Sequence, residues 1–117
     1  MDSILTSVKK MLGITEEYEH FDPDIIIHIN TAFSILNQLG YGPPSGFRIE
    51  DETTEWSEYL QDDANLNLIK DYIFLKVRVL FDPPSSSSLL EAINRQINEF
   101  EWRINAASDF KEGDISG

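Results

Sequence analysis

The chain contains no cysteine. Disulfides, thiolate zinc sites and cysteine nucleophiles are therefore excluded, and nothing in the composition points to an oxidising compartment. Histidine is nearly as scarce. His20 and His28 are the two present, without H-E-x-x-H spacing, and Ile27 and Ile29 bracket the second. Each reads as a packing or surface residue rather than a ligand. Long apolar runs are missing too. No segment approaches the roughly 20 apolar residues of a membrane-spanning helix, and in the opening MDSILTSVKKMLG the lysines follow the apolar residues, the reverse of a secretory leader. The expectation is a soluble intracellular protein, or one assembled inside a cell, with no membrane partner. The last shortage is of bases: 9 Lys and Arg stand against 21 Asp and Glu, a net charge of −12. Such a chain repels a phosphate backbone, so binding of nucleic acid by counterion release is disfavoured.

What remains is ordinary for a globular protein. The 117 residues are 41% hydrophobic, enough for one domain with a modest core. The acids are clustered, from Glu16 to Asp24 and again from Glu50 to Asp63, and neither segment contains Lys or Arg. Such clusters are solvated loops kept soluble by charge, or an acidic surface that meets a basic partner or keeps DNA from adhering.

Periodicity predicts an all-α fold, a small bundle of about four helices with a long Gly/Pro-rich, acidic loop after the second. Ser3 is placed to cap a short first helix carrying Ile4, Leu5, Val8, Met11 and Leu12. Lys9 and Lys10 complement its C-terminal dipole, and Gly13 stands at the C′ position. A second helix starts at FDPDIII, with Asp22 as N-cap and Pro23 at the first helical position. Ile25, Ile26, Ile29, Phe33, Leu36 and Leu39 make its apolar face, which ends at Gly40. Ile27 lies off that face and marks a second buried side or a subunit contact. Residues 40–53 form a connection of a length that is usually functional or disordered, and Trp56, Tyr59 and Leu60 predict a short helical turn after Thr54. Asn65 can cap a third long helix, LNLIKDYIFLKVRVLF, apolar around most of its circumference and so central. In the last helix Leu90, Ile93, Ile97, Phe100 and Ile104 step by three and four, and Trp102 lies off that stripe.

The corner VRVLFDPPSSSSLLEAI (Val77–Ile93) separates the last two helices. Pro83 turns Asp82 away from helix and Pro84 does the same to Pro83, and Ser88 with Glu91 matches the capping box S-x-x-E. Asp82, Pro83, Pro84, Ser88 and Glu91 thus read as a stiff helix–helix corner, not a linker. The domain is expected over residues 1–107, with a flexible polar tail over 108–117.

Catalytic patterns are not found. Asp63, Asn65 and Asn67 have EF-hand-like spacing, but Leu68 stands where the glycine is needed and Phe74 where the bidentate glutamate belongs. GYGPPSG follows a helix and carries no lysine, so it is no phosphate loop. No catalytic residue, metal ligand or cofactor is assigned. Tyr41, Phe47, Arg48, Trp56 and Trp102 are candidate interface residues, being of types that anchor contacts; the alternative for the aromatics is that they cover the core of a small bundle.

The order of these pieces is similar to that of a known family. A short N-terminal helix, FDPDIIIHINTAFSILNQLGYG, a Gly/Pro loop with a tryptophan, YIFLKVRVLFDPP and EFEWRIN together resemble the head–tail connector, or head-completion and adaptor, proteins of long-tailed bacteriophages, over roughly residues 3–105. The resemblance implies a mostly helical, non-enzymatic subunit without cofactor, found in the virion at the head–tail junction and assembled in the bacterial cytoplasm. Its partners would be other copies in a ring, the portal protein, and the next connector or the tail, with DNA passing the channel without specific binding. A different reading of the charge alone is a small acidic regulatory or inhibitor protein, a DNA mimic that occupies a basic partner.

Overall fold

The computed structural model describes residues 3–60 and 64–116, and among these the helices form in the expected order. α1 spans Ile4–Met11, and Ser3 Oγ accepts the Thr6 amide at 3.2 Å, satisfying one of the first-turn donors. α2 spans Asp22–Gln38. Both end the same way: the Ile14 amide reaches Lys9 O and the Tyr41 amide reaches Leu36 O, each at 2.9 Å. The closing residue takes a left-handed φ, 80° at Gly13 and 93° at Gly40, where a side chain would be strained. α3 is the single turn Trp56–Tyr59, α4 spans Leu66–Phe81 and α5 spans Ser87–Ser116.

Three caps differ from expectation. α2 begins at Asp22 itself, Phe21 takes the cap position, and no side chain caps it. The Asp22 carboxylate is held instead by Lys9 Nζ, 2.9 Å away. Asn65 does precede α4, but its side chain accepts no first-turn amide; its Nδ2 donates to Tyr41 Oη, 2.7 Å away. The Ser88–Glu91 box is displaced as well. α5 starts at Ser87, and Ser86 Oγ accepts the Leu89 amide at 3.3 Å, so the third helical position falls on Leu89. Glu91 reaches along the helix to Arg95 at 3.8 Å. The reciprocal glutamate contact occurs at α3, where the Glu55 amide donates to the Glu58 carboxylate at 2.8 Å.

α4 is the central element. It packs against α2 on one side and α5 on the other, with α1 closing a third side, while α2 and α5 scarcely meet. Ile69, Tyr72, Ile73 and Val77 of α4 interlock with Ile25, Ile29, Phe33 and Leu36 of α2 and with Ile93, Ile97 and Ile104 of α5 in one continuous core. Burying a branched or aromatic side chain contributes about 1.5–3 kcal/mol, so this interior is what holds the three long helices together. Tyr72 Oη donates to Glu101 at 2.8 Å across the α4–α5 seam, and Asn105 reaches the Leu39 carbonyl at the far end of α2.

α4 stops at Phe81, and Asp82 leaves the helical backbone region (φ −144°, ψ 70°) while its amide still reaches Arg78 O at 2.8 Å. The chain reverses through residues 82–86 and α5 returns along α4.

Candidate assembly surfaces

The Gly/Pro connection is tied to α2 by two asparagines. The Asn30 side chain accepts the Ile49 amide at 2.8 Å and donates to the Ile49 carbonyl at 3.0 Å. In this way it offers one residue the pairing that a neighbouring strand would give. Two turns on, Asn37 donates to Pro43 O at 3.0 Å. With its backbone fixed, the loop turns Ile49 into the core and stacks Phe47 against Phe33 and Tyr59, with ring centres 5.0 Å from each. The Ile4 amide donates to Thr54 O at 3.0 Å, and an isolated antiparallel bridge pairs Ser3 with Glu55, so the loop also closes over α1.

These contacts decide where the candidate interface residues lie. Tyr41 and Trp56 are only 4% and 3% exposed and belong to the core of the subunit. The Trp56 indole donates to Ser7 Oγ at 3.2 Å, and Lys70 sits over its ring, 5.3 Å from the centroid. Phe47 is half-buried, with one edge facing a groove, and Arg48 beside it is exposed. Trp102 is on the surface, 72% exposed. Of the corner residues, Asp82, Pro83, Ser88 and Glu91 are exposed and Pro84 is partly covered.

Phe47 and Arg48 both line this groove. It runs between the outer side of α2 and residues 45–48, encloses about 800 Å³, and is lined by Ile27, Thr31 and Ser34 from the helix. Among the described residues Arg48 is its single charged lining residue. Ile27 is 60% exposed, apolar, and faces opposite to the core.

The acids converge on another face. Glu16, Glu17 and Glu19 from the α1–α2 connection meet Glu52 of the long loop around a smaller pocket of about 280 Å³. At its base lies Lys9, 2% exposed, whose Nζ donates to Glu16 O and pairs with Asp22, both at 2.9 Å. Sequence reasoning assigned Lys9 to the helix dipole and missed this. The signal was there, because Lys9 is one helical turn from Leu5 and so lies on the apolar face of α1. On the rim of the loop, the Thr53 hydroxyl and amide hold the Asp51 carboxyl below its ordinary range. Asp62 and Asp63, the end of the acidic run and the start of the EF-hand-like spacing, lie outside the described residues.

No group of three metal-ligating side chains comes together among the described residues, and none of their helices is long and apolar enough to cross a membrane. The histidines join an aromatic cluster: His20 lies edge-on to Phe21, and His28 faces Phe81 at 6.4 Å. Compared with known proteins, the chain matches a family model described as phage connector protein over residues 4–111. No curated protein and no solved structure matches.

Proposed function

Because the chain belongs to the phage connector protein family, we propose that it is a structural, non-enzymatic subunit of a ring that docks on the portal of a filled head. That ring extends the DNA channel, presents the next connector or the tail with a surface, and resides in the virion at the head–tail junction after assembly in the host cytoplasm. The observation that carries this reading is the extent of the family match, residues 4–111, which takes in α1 to α4 and all but the last five residues of α5. The charge supports it as well. A net charge of −12 with most of the acids exposed gives the duplex nothing to adhere to, as passage through a channel requires.

The test is to mix the purified chain with portal rings of the same phage and follow association by sedimentation and electron microscopy. An added ring on one end of the portal is expected. Portal rings that stay bare at tens of micromolar chain would overturn the proposal. The acidic face around Glu16, Glu19 and Glu52 keeps one second reading in play, a DNA mimic. A mimic would compete with duplex DNA for a basic protein, and that competition would weaken steeply as salt rises.

A further inference from the structure

The two outer flanks of the bundle are complementary. α2 and α5 both pack on α4 and scarcely on each other, so each keeps a solvent face of its own. On the α2 flank, the short side chains of Thr31, Ser34 and Ser45 leave the 800 Å³ groove open to a large side chain, with Ile27 and Phe47 as its apolar walls. On the α5 flank, Trp102 lies nine residues from Ile93 and five from Ile97. At about 3.6 residues per turn, that sets it opposite the buried stripe, and its 72% exposure follows. The charges match too. Arg48 in the groove and Glu99, one turn before Trp102, are both exposed, and neither joins an ion pair among the described residues. Glu91 and Arg95 on the same face already satisfy each other.

We propose that the α2 groove of one subunit receives Trp102 of a second copy, with Glu99 of that copy set against Arg48. This rests on the ring reading above and gives it an interface. The contact is heterologous: each subunit has one knob on α5 and one groove beside α2, so the same contact repeats from copy to copy and a ring closes where the rotation allows. A buried tryptophan beside a charge pair is the composition of an interface anchor.

The experiment is sedimentation and electron microscopy of full-length chain, alone and with portal rings. Trp102→Ala and Ile27→Asp, at exposed positions, are expected to keep the wild-type melting temperature and to lower the self-assembled fraction at least tenfold. Arg48→Glu and Glu99→Arg are each expected to weaken assembly, and the double variant to restore it toward the wild-type level. A Trp102→Ala chain that folds and assembles like the wild type, or a double swap that assembles no better than the single ones, overturns this contact while leaving connector assembly intact. A wild-type chain that binds the portal without contacting its neighbours also overturns the contact alone. A wild type that associates with neither itself nor the portal overturns both.

Discussion

Lys9 is the residue whose role depends most on packing. Its ammonium enters the interface of α1 and α2 with two partners, Asp22 and the Glu16 carbonyl, and removing one member of such a set leaves the other uncompensated. Lys9→Met keeps the methylene packing and discards the charge. It is expected to lower unfolding free energy by about 3 kcal/mol in urea titration, at the modest end because Asp22 retains some solvent. Tyr72 sets a pH limit. Burial first, and then the Glu101 carboxylate that accepts its hydroxyl, push its ionisation well above the ordinary tyrosine range. An unfolded chain gives up that proton near pH 10 while the folded chain keeps it, so the contribution is complete below pH 10 and is lost as pH rises beyond it. Melting temperature is expected to fall above pH 10, and less steeply in Tyr72→Phe.

At the level of elements, the helices were legible because their apolar residues recur with helical period, and that period reflects burial on one face. The caps were less legible. Asp22, Asn65 and Ser88 are all good capping residues, but a cap competes with any other partner in reach. Lys9 took Asp22, Tyr41 took Asn65, and among four serines it was Ser86, not Ser88, that accepted a first-turn amide, that of Leu89. The surfaces were least legible: whether a tryptophan is core or contact depends on what the loop brings against it, and Trp56 and Trp102 look alike in sequence. Asn30 and Asn37, seven residues apart on one edge of α2, were the trace of the loop that lies along it. The corner itself yields a prediction. Pro83 and Pro84 restrict the unfolded chain at positions whose folded backbone suits them, so replacing both with alanine should lower stability by about 1 kcal/mol. Circular dichroism should show α4 gaining helix past Phe81. Unchanged stability and helix content would mean that the connection is held by α4–α5 packing alone.

For the whole molecule the governing quantity is charge. Copies carrying −12 each repel at long range, whereas the proposed contact is short-range and largely apolar. Self-association, and association on the portal, should therefore strengthen between about 50 and 300 mM salt as repulsion is screened. Duplex DNA should show no retention by the chain at the lower salt. Sedimentation velocity at the two ionic strengths measures the first and a filter-binding titration the second. Assembly that weakens with salt would place ion pairs, not apolar burial, in control of the contact. The burial contrast between the two tryptophans also equips the protein with its own optical readout. Trp56, enclosed beside Ser7 and under Lys70, is expected to emit at the blue edge and to follow the integrity of the bundle, whereas Trp102, 72% exposed, is expected to emit at the red edge and to follow whatever covers it. Unfolding and docking therefore move the emission in opposite directions, and an unlabelled sample distinguishes a subunit that has come apart from one that has found its place.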